Sequence, residues 1–306
     1  MKKEQYLHIV IYLSYDCNLR CSYCVINFNK ETIADIHIDA IADFVQQYKT
    51  AFNTLHIEFI WGEPLLQWKK IEKILSVCRG DTVSFSITTN GTLITHEIYE
   101  RVFTNLNNIT LSFNENYRNN HVLFAKISQI FLKKKNVQVN FLYDPEVSWK
   151  MMKENFLFLL KQGFSNICIL PIVLVHQYTD EDMKKLLEFI RFIEKFTKIA
   201  SIWYIYYLQP KDNHFEFTIN PNGDILWDNM GTAEEYFHIV KKINTPIGKI
   251  GNMTLEKIQD SLKKYCYLDY LKYIIDNWNT KQSYSNLVLL SSLLKKYDRK
   301  ISRKTI

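Results

Sequence analysis

Short apolar segments alternate with amphipathic segments along the first two thirds of the chain. Apolar residues recur at helical spacing within residues 38–48, 71–78 and 183–193. The runs between such segments are rich in Ile, Val, Leu, Phe and Tyr, which is typical of strands buried on both faces. The pattern predicts six strand-then-helix units that form a parallel sheet with right-handed crossovers. The predicted strands are residues 7–13, 55–61, 83–88, 109–113, 137–143 and 167–175.

Four polar segments stand at the ends of predicted strands. Cys17 follows the first strand, Trp-Gly-Glu-Pro (61–64) ends the second, Thr-Thr-Asn-Gly (88–91) ends the third, and Ser112 lies at the end of the fourth. In a parallel sheet the functional loops gather at the C-terminal ends of the strands, because there the chain passes to the following helices. The four segments are therefore placed where such a sheet carries its functional loops.

The pattern changes after about residue 200. Two short strands, 215–219 and 224–227, flank Asn-Pro-Asn-Gly (220–223), which is typical of a tight hairpin turn. Residues 254–306 are mainly helical in pattern, with Thr254 as the predicted N-cap. We predict two parts that pack together: an α/β part over residues 1–200, and a small α+β extension with C-terminal helices over residues 201–306.

Composition and charge narrow the class of protein. The 306 residues are 47% apolar and 23% charged, a composition that excludes a largely disordered chain. The chain has 38 Lys and Arg residues against 32 Asp and Glu residues. The resulting net charge of +6 is too small to indicate the basic surface of a nucleic-acid-binding protein. No apolar run reaches the ~20 residues of a membrane helix, and no targeting segment is evident. We therefore predict a cytoplasmic protein without nucleic-acid or membrane partners.

Three of the six cysteines lie within eight positions, Cys17-Asn18-Leu19-Arg20-Cys21-Ser22-Tyr23-Cys24. Six cysteines are too few for a disulfide scaffold in a chain of this length, and the spacing C-x3-C-x2-C indicates metal binding. Three thiolates can hold three irons of a four-iron cluster, which leaves the fourth iron open to a small molecule. The alternative is a zinc site, which needs a fourth ligand from elsewhere in the chain.

This cluster resembles the signature of the radical S-adenosylmethionine (SAM) enzymes, in which an aromatic residue precedes the last cysteine. Tyr23 occupies that position. The resemblance implies that Cys17, Cys21 and Cys24 hold one [4Fe-4S] cluster and that SAM chelates the open iron. An electron from the cluster then cleaves SAM to a 5′-deoxyadenosyl radical, which abstracts a substrate hydrogen. A partial (β/α)6 TIM-like barrel and an electron donor such as flavodoxin or ferredoxin are also implied.

Three further segments are similar to SAM-binding motifs of that family. Segment 61–64 is similar to Gly-Gly-Glu-Pro, which presents acceptors to the SAM ammonium, with Trp61 in place of the first glycine. Segment 89–93 is similar to Thr-Asn-Gly-Thr-Leu. Segment 111–114 resembles Ser-x-Asp-Gly, whose serine reaches the SAM carboxylate, with Asn114 and Glu115 in place of Asp and Gly. The resemblance implies these SAM-binding residues: Tyr23, Gly62, Glu63, Pro64, Thr89, Asn90 and Ser112.

The C-terminal part resembles the SPASM extension of the family, or its shorter twitch form. Residues 217–227 and 247–258 carry the resemblance. Such extensions usually bind auxiliary iron–sulfur clusters, but Asp228 stands where the first cysteine is expected and only Cys266 lies downstream. One cysteine cannot hold such a cluster, so we expect an extension without auxiliary metal. Cys266 is a candidate hydrogen-atom donor for an epimerisation, and a small buried hydrophobe is its alternative role.

The resemblance also implies a substrate class. Members with SPASM-like extensions mostly modify ribosomally synthesised peptides or proteins, so we expect a peptide substrate. Since Cys17 lies near the start of the chain, we expect the barrel mouth or a separate peptide-recognition protein to bind that peptide. The alternatives are a radical SAM enzyme acting on a small molecule such as a sugar or nucleoside and, from another class, a non-catalytic metal-binding scaffold.

Overall fold

The computed structural model describes residues 4–24, 26, 29–113, 117–131, 137–172, 179–196, 201–204, 215–226 and 246–262. The strands are β1 (Glu4–Ile11), β2 (Phe52–Phe59), β3 (Val83–Thr89), β4 (Asn108–Phe113), β5 (Val137–Tyr143), β6 (Asn166–Pro171), β7 (Ser201–Tyr204), β8 (Phe215–Ile219), β9 (Asp224–Leu226) and β10 (Gly248–Lys249). The helices are α1 (Asp35–Tyr48), α2 (Trp68–Val77), α3 (His96–Arg101), α4 (Tyr117–Phe131), α5 (Trp149–Lys161), α6 (Asp180–Ile193) and α7 (Leu255–Leu262).

Six strand-then-helix units build most of the molecule. Each of β1 to β6 is followed by a helix, and the neighbouring strands from β1 to β7 pair in parallel in chain order. This arrangement confirms the predicted α/β partial barrel. It also places the C-terminal ends of β1 to β4, and hence all four polar segments, at one edge of the sheet.

The two faces of the sheet differ in chemistry. On β1, the alternate residues Leu7, Ile9 and Ile11 are fully buried in the core between the sheet and the helices. Burying each such side chain stabilises the fold by about 1.5–3 kcal/mol. The opposite, inward face carries buried polar side chains such as His8 and His56. The strands are thus buried on both faces, as expected, but the barrel interior is partly polar.

The strands after residue 215 continue the same sheet. β8 pairs in parallel with β1, and β9 pairs antiparallel with β8. Gly223 closes the predicted turn with φ +74°, and its N–H donates to Asn220 O at 2.9 Å. α7 begins after Thr254, whose Oγ1 accepts from Lys257 N at 3.4 Å, so the predicted hairpin and N-cap are both confirmed. The division into two parts at residue 200 stays a prediction, and Asp228 and Cys266 lie outside the described residues.

The helices in the described part of the chain are too short or too polar to cross a membrane.

Candidate functional site

The loop that carries the cysteines leaves β1 and is closed at its base. Ser14 forms an isolated antiparallel bridge with Thr32, and Ile33 N–H donates to Leu13 O at 2.8 Å. Ser14 Oγ also donates to Glu31 O at 2.8 Å. These bonds anchor both ends of the loop, so the segment between them projects from the C-terminal edge of the sheet.

Within this loop the three cysteines are half-buried and free of disulfides. Cys24 N–H donates to Cys21 O at 3.1 Å, which forms a tight turn between the second and third cysteines. Leu19 N–H points at Cys17 Sγ at 3.4 Å, and the Arg20 guanidinium donates to the Cys17 carbonyl oxygen. The backbone of the loop is therefore folded around the thiols.

Burial is the main cause that raises the pKa of the Cys17 thiol to about 11; the nearby Glu63, Cys21 and Cys24 act in the same direction, while a backbone hydrogen bond from Leu19 opposes the shift. Burial likewise raises the pKa of Cys24. A thiol must lose its proton to bind iron, and the raised pKa means that the negative thiolates need a cationic group, such as bound iron, to stabilise them.

The donor set fits three corners of a four-iron cluster. Iron–sulfur clusters take soft thiolate ligands, and one loop presents three of them. Where the structure describes side chains, no three His, Cys, Asp or Glu groups are arranged to hold a single metal ion.

The second polar segment packs directly against the start of the cysteine loop. Glu63 N–H donates to Asp16 O at 2.9 Å. Gly62 has φ +55°, and a Cβ added to it would lie 2.4 Å from Asp16 O and 2.7 Å from Ser14 O. Pro64 is buried and starts a 3-10 helix (Pro64–Gln67) that the Glu63 carboxylate caps by accepting from Leu65 N at 3.0 Å.

Trp61 keeps a backbone conformation that favours glycine. Its φ is +70°, and among the described residues it alone combines a side chain with a positive φ. The indole packs edge-on against Tyr12, with ring centroids 6.4 Å apart, and its buried Nε1 has no hydrogen-bond partner in the described part of the chain. The segment therefore has two successive residues with a positive φ, Trp61 and Gly62, although a bulky residue occupies the first position.

The third segment joins the first two. Glu63 is buried, and its carboxylate accepts from Thr89 Oγ1 at 2.6 Å and from Asn90 N at 2.9 Å. Asn90 Nδ2 donates to Asn18 Oδ1 at 3.0 Å and lies 3.9 Å from Cys17 Sγ. The ends of β1, β2 and β3 thus form one hydrogen-bonded site centred on Glu63.

The remaining predicted SAM-binding residues lie on β4 and in the cysteine loop. Ser112 is half-buried near the end of β4, and no hydrogen bond of the described chain joins it to the other segments. Tyr23 is half-buried within the cysteine loop. Sequence reasoning missed Asn18, whose Nδ2 donates to Thr92 Oγ1 at 2.7 Å and so ties the cysteine loop to the segment after β3.

The fold and this site define an α/β partial-barrel protein with a three-cysteine loop at the C-terminal edge of its sheet. Residues 11–190 match the family model of the radical SAM superfamily. The chain therefore belongs to the radical SAM superfamily and is an enzyme of that class. The family implies a [4Fe-4S] cluster and SAM as cofactors.

Two curated relatives match parts of the chain. Over 99 residues it is 32% identical to the uncharacterized protein MJ0907 of Methanocaldococcus jannaschii, a match covering 31% of this chain and 34% of that protein. Over 116 residues it is 31% identical to the radical SAM cyclopropyl synthase TigE of Paramaledivibacter caminithermalis, covering 32% of this chain and 25% of that protein. The matches thus span about a third and a quarter of the relatives' lengths.

Solved structures share the fold at low sequence identity. The structure of anSMEcpe with bound AdoMet superposes with a TM-score of 0.67 at 16% identity, covering 87% of this chain and 84% of that chain. Streptococcus suis SuiB bound to the precursor peptide SuiA gives a TM-score of 0.60 at 16% identity, covering 85% and 66%. At this identity the likeness supports the partial-barrel fold alone.

The sequence did not predict a half-buried ionic network inside the barrel. His8 Nε2 lies 3.1 Å from Glu58 Oε2, and His8 Nδ1 lies 2.9 Å from Glu216 Oε2. Burial alone would lower the pKa of His8, but the hydrogen bonds to Glu216 and Glu58 outweigh it and raise the pKa to about 9. His8 is therefore an imidazolium at neutral pH. The signal available in the sequence was the polar residue at every second position of β2, His56 and Glu58.

We expect this network to make stability depend on pH. Because the folded pKa of His8 is raised from 6.5 to about 9, its contribution is complete below pH 6.5 and is lost as the pH rises through 9. At about 1.4 kcal/mol per pKa unit, the loss is at most about 3 kcal/mol. Urea unfolding at several pH values should show this decline in the wild type and not in His8→Asn. The exposed His96→Asn variant is the control, and an equal decline in all three proteins would contradict the prediction.

Proposed function

We propose that this protein is a radical SAM enzyme that modifies a peptide, with Cys17, Cys21 and Cys24 as the ligands of one [4Fe-4S] cluster. The observation that carries the proposal is the hydrogen-bonded joining of three strand ends around Glu63, beside the cysteine loop. In this proposal SAM binds at that junction, and its contacts come from these residues: Tyr23, Gly62, Glu63, Pro64, Thr89, Asn90 and Ser112.

When bound, the cluster and SAM supply an electron and a radical that abstracts hydrogen. The chain's own groups bind and orient them. Asn90 Nδ2, 3.9 Å from Cys17 Sγ, is placed to stabilise the thiolate by partial positive charge. Glu63 fixes the backbone of Asn90 and Leu65, so the junction keeps its shape before a cationic ammonium approaches.

The peptide substrate is supported by the structural neighbours. The structure of SuiB contains the precursor peptide SuiA. The structure of anSMEcpe with AdoMet and the Cp18Cys peptide aligns with 94% of this chain at a TM-score of 0.65. An electron donor such as flavodoxin or ferredoxin and a separate peptide-recognition protein complete the proposed partners. Cys266 stays a proposed hydrogen-atom donor.

Anaerobic reconstitution tests the cluster. The wild type should turn brown with iron and sulfide, and then release 5′-deoxyadenosine when SAM and dithionite are added. Cys21→Ala should lose both properties, because two thiolates cannot hold the cluster. Cys78→Ala is the matched control, since Cys78 is buried on the helix side of the sheet. This variant should bind as much iron as the wild type. Full iron loading without SAM cleavage, or a colourless protein with one zinc, would refute the proposal.

The substrate needs a separate experiment. We expect co-expression with short peptides encoded beside the gene to change the mass of one of them, and Cys21→Ala to abolish the change. Hydrogen abstraction can be followed by deuterium transfer from the peptide into 5′-deoxyadenosine. Turnover of a sugar or nucleoside with no peptide modified would instead establish the small-molecule alternative.

A further inference from the structure

The inward face of three adjacent strands carries a row of side chains below the site. Val10 on β1 is the register partner of Thr218 on β8 and of Glu58 on β2. The strand neighbours of Thr218 and of Glu58 all lie in the core on the helix side, so these two side chains point into the barrel. With strands about 4.8 Å apart, Thr218 and Glu58 stand about 10 Å apart across Val10.

Glu58 has capacity for a further hydrogen-bond donor. Its Oε2 faces His8, and its Oε1 accepts from Thr88 Oγ1 at 3.2 Å. An ionised carboxylate has about four acceptor positions, so these two contacts leave others open. The side chain is 24% exposed, which makes the carboxylate accessible from the interior of the barrel.

The charge on Glu58 is only partly neutralised. Among the described ion pairs, Glu58 faces one cationic group, His8, which also contacts Glu216. An anionic ligand would be repelled here, and an apolar ligand would cover the carboxylate without pairing it, which costs free energy. A cation complements this surface.

Thr218 gives a second, independent indication. It is fully buried, and its Oγ1 has no hydrogen-bond partner among the residues that the structure describes. A buried hydroxyl left without a partner is destabilising, so such groups in native proteins call for an explanation. A ligand that binds Glu58 and extends along the row to Thr218 on β8 would supply a hydrogen-bond partner for the Thr218 hydroxyl.

The geometry points to a substrate subsite inside the barrel, between Glu58 and Thr218, for an ammonium or guanidinium group. The inference rests on the proposed function and deepens it: the peptide would carry a Lys or Arg side chain or an amino terminus into the barrel. Thr88, which bonds Glu58, is followed directly by Thr89 of the SAM site. The cation would therefore lie deeper in the barrel than the carbon that loses its hydrogen.

Binding of simple probes tests the subsite. n-Butylammonium, n-butanol and butyrate are titrated into the reconstituted, SAM-loaded enzyme and followed by saturation-transfer difference NMR. We expect saturable binding of butylammonium, at least about tenfold weaker binding of butanol, and none of butyrate. Equal binding of the amine and the alcohol would overturn the inference.

Variants locate the binding. Glu58→Gln keeps the shape and removes the charge, and should weaken butylammonium binding about tenfold. Glu154→Gln, on the exposed side of α5, should leave it unchanged. Thr218→Val should weaken binding several-fold while raising the melting temperature, a pair of opposite effects that a structural role alone would not produce. Wild-type affinity in both Glu58→Gln and Thr218→Val would exclude this subsite.

These outcomes are separable from those of the proposed function. Release of 5′-deoxyadenosine by the wild type is measured without any probe, and probe binding is measured without turnover. An enzyme that cleaves SAM but does not prefer the amine refutes only the subsite. An inactive protein that binds the amine through Glu58 refutes only the proposed activity.

Discussion

Gly62→Ala should destabilise the protein by about 3–5 kcal/mol and release the cysteine loop from the sheet. The added Cβ would lie 2.4 Å from Asp16 O and 2.7 Å from Ser14 O, and both are backbone atoms that cannot rotate away. The φ of +55° adds the cost of placing a side chain in the left-handed region. Since the total stability of a domain is about 5–15 kcal/mol, the loss is a large part of it.

Urea unfolding of the metal-free protein measures the stability loss, and iron content after desalting measures the loop. Gly80→Ala is the matched control, because its Cβ would meet only side-chain atoms of Lys49 and Val83, at 3.4 Å or more. We expect this control to change stability by less than about 1 kcal/mol. A Gly62→Ala variant with the wild-type unfolding midpoint and full iron content would show that the contact between the two loops is dispensable.

The sequence predicted the sheet and the strand-end motifs because both are encoded locally. Apolar residues at alternate positions in residues 7–11 mark the face of β1 that packs on the helices, and Asn220 to Gly223 mark the hairpin turn. The order of strands follows from right-handed strand–helix–strand crossovers, which place consecutive strands next to each other.

The interior network has no local signature. His8 lies between apolar neighbours in a short run that reads as a buried strand, and its partner Glu216 is 208 positions away. Only the register of β8 on β1 and of β2 on β1 places the two carboxylates beside the imidazole. Pairings of this kind depend on long-range topology, so a single sequence does not predict them.

The backbone conformation of Trp61 at the site also could not be predicted from the sequence. The motif predicted a glycine-like position, and the structure keeps φ +70° there with a tryptophan. The cost of about 1–2 kcal/mol for a side chain in this region is offset by packing of the indole. Its partners are the inward cluster of Val10, Tyr12, Tyr15 and Ile26, which brings together residues of β1 and of the segment that follows it.

Glu63→Ala should cost about 4 kcal/mol and abolish SAM cleavage, since three buried donors lose their acceptor at about 1–3 kcal/mol each. The donors are Leu65 N, Thr89 Oγ1 and Asn90 N. Urea unfolding measures the stability loss, and Glu154→Ala, at an exposed carboxylate on α5, should leave stability within about 0.5 kcal/mol of the wild type.

Glu63→Gln separates the charge of this side chain from its shape. Burial raises the pKa of Glu63 above its ordinary value of 4.5, although the hydrogen bonds from Thr89, Asn90 and Leu65 oppose the shift. A raised pKa means that the folded state binds the proton more tightly, so wild-type stability falls as the pH rises from 4.5 through the raised value. The amide does not titrate, and the stability deficit of Glu63→Gln should therefore be largest below pH 4.5 and shrink as the pH rises toward neutral. A deficit that grows with pH would mean that the three hydrogen bonds outweigh burial and that the carboxylate is held ionised, ready for a cation.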